Sequence, residues 1–218
     1  MGSGGMSILN CTRVLLVDDH SVVREGYRRL LEGEAGITVV GEAADAARAC
    51  EYALALDPDV VVMDIGLPGV SGIDAMRRML AHRPGLRVLI FSMHDDAIFC
   101  SRALQAGALG YLSKSSAPET LVQAVQTIAR GEQYLSPDLA RNLAQSTAPD
   151  RRAVLETLTA REFEVLRLLA RGETLARIAE KLGVSEKTVA NHQSAVREKL
   201  GMRNGVQLAR FAEQLGVL

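Results

Sequence analysis

A regular alternation constrains this chain more than any other property. Short apolar runs at 13–17, 37–42, 60–64, 87–92 and 110–113 are separated by amphipathic stretches near 21–32, 45–56, 72–82, 95–106 and 117–130. The runs are almost unbroken in Val, Ile and Leu, as strands buried on both faces of a parallel sheet require. Strict strand–helix alternation then places crossover helices on both faces of that sheet. The front of the chain is expected to be an α/β domain. Helix boundary signals agree with this: Ser71 precedes Asp74 and Ser116 precedes Glu119 at capping-box spacing, with Pro118 in the first turn. Gly107 and Gly131 fall just past expected helix ends.

Four of the runs close on a polar residue. VLLVDD ends in Asp18 and Asp19, VVVMD in Asp64, VLIFS in Ser92 and GYLSK in Lys114. Ligands of parallel sheets sit outside the carboxyl ends of the strands, so one crevice would receive three carboxylates, a hydroxyl and an ammonium. Clustered carboxylates repel one another unless a cation sits among them. Mg²⁺ is the expected cofactor, because it takes one or two carboxylates and completes its shell with water and phosphate oxygens. An Asp carboxylate attacks phosphoryl groups directly and needs no general base. Lys114 and the metal would neutralise the phosphoryl oxygens, and Ser92 could bond a third. Phosphatases of the haloacid-dehalogenase type share these groups, but they need a second Asp two residues after the nucleophile to protonate the leaving group. Gly66 stands there, so an enzyme is not expected.

The net charge of −1 divides unevenly, −4 over residues 1–135 and +3 over 136–218, which favours the back half for any polyanion. Cys11, Cys50 and Cys100 have no CxxC or zinc spacing and fit a reducing cytoplasm. No apolar run approaches a membrane span and no signal peptide is expected, so the location expected is cytoplasmic, with no membrane partner. Residues 1–12 are read as a leader whose MGSGG start is an expression scar. Residues 13–130 are the α/β domain, and 131–154 a linker with one short helix from Ser136-Pro137, flexible near 146–150. After Leu158 there are no strands. Helices are expected near 160–171, 175–182, 186–200 and 205–215, punctuated by Gly172, Gly183 and Gly201. Thr159 and Glu162 form a capping-box pair, with Leu158 and Phe163 as a hydrophobic staple. LARIAEKLGVSEKTVANHQSAVREKL has helix–turn–helix form, Gly183 at the turn and Ser185 capping a second helix able to enter the major groove.

Residues 13–130 resemble the receiver domain of two-component response regulators. The resemblance implies a five-stranded sheet in the order 2-1-3-4-5 and makes Asp64 the 4-aspartylphosphate acceptor. It makes Asp18 and Asp19 the acidic metal pair, with the Gly66 carbonyl as a further ligand, and puts Ser92 and Lys114 on the phosphoryl oxygens. Tyr111 matches the aromatic switch that moves inward when Ser92 engages. His20 is read as a helix-start residue. Two departures stand out: Ser115 follows the lysine where many receivers have Pro, and Gly66 and His94 flank the site where phosphate lifetime is tuned. LTAREFEVLRLLARG, IAEKLGVSEKTVANH and REKLGMRN resemble the LuxR-type DNA-binding domain over about 155–218, and the two together resemble the NarL/FixJ arrangement.

That match implies a transcription factor whose DNA binding is switched by phosphorylation of Asp64. The donor would be a cognate histidine kinase or a small acyl phosphate. The active form would be a homodimer on paired half-sites, with RNA polymerase a candidate further partner. Ala190, Asn191 and Ser194 fall where relatives read bases; Asn191 suits an adenine edge and Ala190 a thymine methyl. Lys187, Thr188, Arg197, Lys199 and Arg203 match phosphate contacts, and His192 a position that either packs or touches the backbone. The alternative is a DNA binder that ignores phosphorylation, its receiver serving only as a scaffold.

Overall fold

A computed structural model of the chain describes residues 11–93, 97–145, 157–202 and 207–208. His94, the stretch near 146–150, Arg203 and most of the last expected helix lie outside these residues. Strands β1 (Thr12–Val17), β2 (Ile37–Ala43), β3 (Val60–Met63), β4 (Arg87–Ser92), β5 (Gly110–Ser113) and β6 (Tyr134–Leu135) form one sheet in the order β2-β1-β3-β4-β5-β6. Every pairing is parallel.

The sixth strand corrects the expected five. Tyr134 and Leu135, within the stretch read as linker, pair with Gly110 and Tyr111. Two residues are too few to show a strand period, yet they cover the backbone edge that β5 would otherwise expose.

Alternate residues of the strands feed two cores. On one face Val14, Leu16, Val62, Leu89 and Leu112 meet Leu31 of α1 (Ser21–Glu32) and Leu121, Val125 and Ile128 of α5 (Pro118–Ala129). On the other, Leu15, Val61, Met63, Ile90 and Tyr111 meet α2 (Ala46–Ala55), α3 (Gly72–His82) and α4 (Ala97–Gln105). Helix α6 (Pro137–Gln145) packs on α4.

The back half contains α7 (Ala160–Ala170), α8 (Leu175–Leu182) and α9 (Glu186–Lys199). The Thr159–Glu162 capping box is complete on both sides. Ser185 caps α9, accepting from the Thr188 N–H, and Gly183 ends α8 at φ +61°. Two other expected caps are absent. Ser71 Oγ is buried with no partner; the start of α3 is held instead by the Gly72 N–H donating to the Ile65 carbonyl. Helix α5 begins one residue later than the Ser116 reading, with Ala117 as an N-cap that makes no side-chain bond.

Candidate phosphoacceptor site and DNA-reading helix

The strand ends converge for a local reason. The Asp18 N–H donates to the Ala43 carbonyl, Asp64 to Val17 and Lys114 to Ser92, at 3.0, 2.9 and 2.8 Å. Each polar residue is thus pinned one step past its strand by the neighbouring strand's ladder, and its side chain emerges at the same edge. Lys114 Nζ lies 2.6 Å from both Asp18 Oδ2 and Asp64 Oδ2. Asp64 is only 7% exposed, Asp18 and Ser92 are buried, and Tyr111 is fully buried. Gly66 N–H donates to Asp64 Oδ1 at 3.2 Å. Its missing side chain leaves the space beside that carboxylate open, the nearest atom to a Cβ there being Asp64 Oδ2 at 4.0 Å.

Burial raises the Asp64 pKa above the usual carboxylate value; Lys114 opposes this and Asp18 adds to it. Burial also works against the Lys114 ammonium, but Asp64 and Asp18 outweigh it and keep the lysine charged. Ligand atoms of Asp18, Asp19, His20 and Asp64 all lie within 4.8 Å of one another. Asp19 Oδ1 is buried without an aligned hydrogen-bond donor, although His20 Nδ1 stands 2.7 Å away. His20 occupies the N-cap of α1 and makes no side-chain cap bond. Three carboxylates against one lysine leave excess negative charge on hard oxygen donors. That set suits a divalent cation such as Mg²⁺.

What covers this edge has no signature in the sequence. Helix α7 lies across it. Arg161 donates to the Leu67 carbonyl at 2.7 Å and pairs with Glu164 at 2.6 Å, all within a buried junction. Glu164 is 3% exposed, and its Oε1 and Arg161 Nε find no hydrogen-bond partner. Burial pushes the Glu164 pKa up to about 7; Arg161 opposes this, while Asp64 and Asp74 add to it. Phe99 of α4 and Phe163 of α7 meet edge to face with centroids 4.9 Å apart. Arg102 donates to the Leu158 carbonyl and stacks on Phe163, and Arg167 stacks on Phe99. One apolar cluster runs from Leu67 and Phe99 through to Leu158, Phe163 and Leu166. Nothing local distinguishes the charges of α7 from ordinary solvated ones, and only the packed receiver buries them.

Between the halves lies a cavity of about 550 Å³. Asp64, Gly66, Ser92, Lys114, His20 and Tyr27 line it from the receiver side, and Glu164, Arg167, Leu168, Arg171, Lys181 and Leu182 from the output side.

In the helix–turn–helix, Val165, Ile178, Ala179, Leu182 and Val189 form a separate core. Lys187, Asn191 and Ser194 are exposed on α9, while Thr188, Ala190 and Arg197 are half-buried. Thr188 shares a hydroxyl bond with Ser185, and Ser194 donates to the Ala190 carbonyl. Lys199, expected on a DNA phosphate, is instead 2.6 Å from Glu162 and ties the end of α9 to the start of α7. His192 is half-buried, with burial and then Arg161 lowering its pKa, which fits packing. The turn before α9 abuts the receiver: the Gly69 N–H reaches the Leu182 carbonyl at 3.5 Å, and a Cβ on Gly183 would lie 3.1 Å from Pro68 Cβ.

Comparison with known proteins follows the same division. Residues 14–126 match the family described as the response regulator receiver domain, and 156–212 match the bacterial regulatory proteins of the luxR family. The response regulator GacA of Pseudomonas aeruginosa is 35% identical over 208 residues, 94% of this chain and 97% of that protein. UvrY of Escherichia coli K12 is 34% identical over 206 residues, 94% of each chain. Among solved structures, RcsB of Salmonella enterica serovar Typhimurium, bound to promoter P1flhDC with the phosphomimetic BeF₃⁻, aligns at TM-score 0.64 and 29% identity over 94% of this chain and 100% of that one. A LuxR-family response regulator from Aurantimonas sp. SI85-9A1 aligns at 0.60 and 49% identity over 61% of this chain and 95% of that one. A receiver whose strand ends gather the acidic groups, joined to a LuxR-type helix–turn–helix, places this chain among the response regulators of the NarL/FixJ family, which control transcription.

Proposed function

We propose that Asp64 is the phosphoacceptor and that its phosphorylation switches DNA binding by the output half. The observation that carries this is Lys114 Nζ bridging Asp18 and Asp64 at 2.6 Å each, in a cavity that Ser92 also lines. Asp64 supplies the attacking oxygen. Lys114 would move from Asp64 to the incoming phosphoryl oxygens, and Ser92 would bond another. Asp18, Asp19, Asp64 and the Gly66 carbonyl would hold a Mg²⁺ ion, which when bound neutralises the carboxylates and draws charge from the phosphoryl oxygens.

A phosphoryl group adds about −1.5 to −2 charges to a cavity that Glu164 also lines. With Glu164 ionised only in part near pH 7, the repulsion stays below the about 4 kcal/mol of a unit like-charge pair at about 4 Å and an effective dielectric of about 20. Moving an equilibrium from 1:99 to 99:1 requires about 5.5 kcal/mol, so charge alone falls short. Ser92 engagement and movement of Tyr111 would add to it. Undocking clears Pro68 and Gly69 from the turn before α9. That end of the helix then becomes free to enter the major groove. The active species on this reading is a homodimer on paired half-sites, with a histidine kinase as protein donor, residues 13–130 as input and 155–218 as output. Lys187, Asn191 and Ser194 remain as DNA contacts, with Ala190, Thr188 and Arg197 beside them.

The test is phosphate mass gain on incubation with acetyl phosphate and Mg²⁺. The wild type should gain it and Asp64→Asn should not; an Asp64→Asn protein modified to the same extent sinks the assignment. Equal DNA affinity before and after phosphorylation would favour the scaffold reading instead.

A further inference from the structure

The interdomain cavity leads to Asp64 while the halves are docked. Its volume of about 550 Å³ lies within the ~300–1,000 Å³ typical of small-molecule pockets. Its walls suit a small organic phosphate. Val23, Tyr27, Leu168 and Leu182 offer apolar surface, and Lys114, Arg167, Arg171 and Lys181 offer positive charge. Arg171, Lys181 and His20 are exposed, so they mark where the cavity meets solvent; Lys181 is paired with Glu173, which leaves Arg171 as the main attraction for an anion there. A protein donor faces different geometry. It must bring a phosphohistidine on a folded surface to Asp64 and bury roughly 800 Å² per partner to form a standard interface. Helix α7 and the end of α8 already cover the strand edge where that surface would lie.

We propose that the docked form takes its phosphoryl group from small diffusible acyl phosphates through this cavity, and from a phosphohistidine protein only after the output half has undocked. The inference rests on Asp64 being the phosphoacceptor. In the reaction an Asp64 carboxylate oxygen forms the new bond to phosphorus. The bond from phosphorus to the acyl oxygen breaks with its electron pair, and a carboxylate leaves. Charge balances and no proton moves. The protein would thus respond to two inputs of different character: a metabolic one that reaches the resting molecule, and a protein one that waits on spontaneous opening.

The turn contact supplies the test. A Cβ on Gly183 would lie 3.1 Å from Pro68 Cβ, near the ~3.5–4.5 Å of a disulfide. Pro68→Cys with Gly183→Cys, in a chain with Cys11, Cys50 and Cys100 changed to Ser, would lock the halves when oxidised and free them when reduced. Two donors are compared by phosphate incorporation with Mg²⁺: acetyl phosphate, and the phosphorylated phosphotransfer domain of a sensor kinase chosen because it labels the reduced protein. The locked protein should react with acetyl phosphate within about threefold of the reduced rate and lose transfer from the kinase domain by about thirtyfold or more. Loss of both reactions would show that the cavity is no route, and retention of both that the cap does not select; either overturns the proposal.

Because a cysteine at φ +61° is strained, Arg102→Ala gives a second, uncrosslinked arm. By releasing Leu158 and Phe163 it should speed kinase transfer several-fold and leave the acetyl phosphate rate within about twofold. No change in kinase transfer counts against the proposal. A reduced protein that accepted phosphate from neither donor would overturn the phosphoacceptor reading itself, and this inference with it.

Discussion

Glu164 is where the chemistry of the output half touches that of the receiver. Its pKa of about 7 in the docked form compares with ~4.3 for an exposed glutamate, so the docked form holds an extra proton across that window. By linkage, docking is strongest below the exposed value and weakens as pH rises toward 7, levelling off above it. The groups that face this carboxyl are Arg161 on its own helix and Asp64 and Asp74 of the receiver. In Mg²⁺-free buffer, the fraction undocked should rise between pH 5 and 7.5 in the wild type and stay nearly flat in Glu164→Gln, as read by interdomain energy transfer. Equal slopes in the two proteins would assign the pH response to other groups. The receiver side of the same cavity could be read from the chain itself. Asp18, Asp64, Ser92 and Lys114 each follow an apolar run, and a strand end is a local property. Glu164 could not be read this way, because in AREFEVLRLLA it looks like one more solvated charge, and only the receiver packed above makes it a buried one.

The elements show the same limit. The Thr159–Glu162 capping box lies in four consecutive residues and forms as its spacing implies. Thr159→Ala should cost about 1 kcal/mol and lower the melting of the output helices, and thermal unfolding followed by circular dichroism would show no shift if the box were idle. Ser71 has the same spacing to Asp74 yet makes no cap, because the first turn of α3 is pressed against the backbone of Asp64. A Cβ on Gly72 would stand 1.8 Å from the Asp64 carbonyl oxygen and 2.8 Å from its carbon. Backbone cannot yield as a side chain does. Gly72→Ala should therefore destabilise the receiver by about 3 kcal/mol in urea unfolding and slow phosphorylation by displacing Asp64. A variant with wild-type stability and rate would contradict the closeness of that approach. Strand β6 escaped notice for the opposite reason: with two residues there is no period to detect, only a vacant edge on β5.

At the scale of the whole molecule, the two halves share one apolar cluster through Phe99, Leu158 and Phe163. On the proposed reading, phosphorylation must therefore part packed side chains as well as ion pairs. Scattering should show a larger radius of gyration after treatment with acetyl phosphate and Mg²⁺, no change in Asp64→Asn, and partial expansion of Arg102→Ala without any phosphate. An Arg102→Ala protein as small as the wild type would remove that arginine from the latch. The separate folds of the halves were legible because each carries its own periodicity. Their contact was not, since it joins Leu67 to Arg161 and Phe99 to Phe163 across long separations, and no periodicity reports on such pairs.

The junction also bears on how freely such parts can be exchanged. Arg161 reaches the carbonyl of Leu67 and Arg102 that of Leu158, backbone groups any partner could offer. The Phe99–Phe163 contact and the stacking of Arg102 on Phe163 and Arg167 on Phe99 need particular residues on both sides. A chimera joining this receiver to another regulator's DNA-binding half could keep a complete acidic site and a complete reader and still lack the contact that docks them. On the proposed reading, a protein with one half swapped would have to rebuild this contact before its DNA binding could be restrained again.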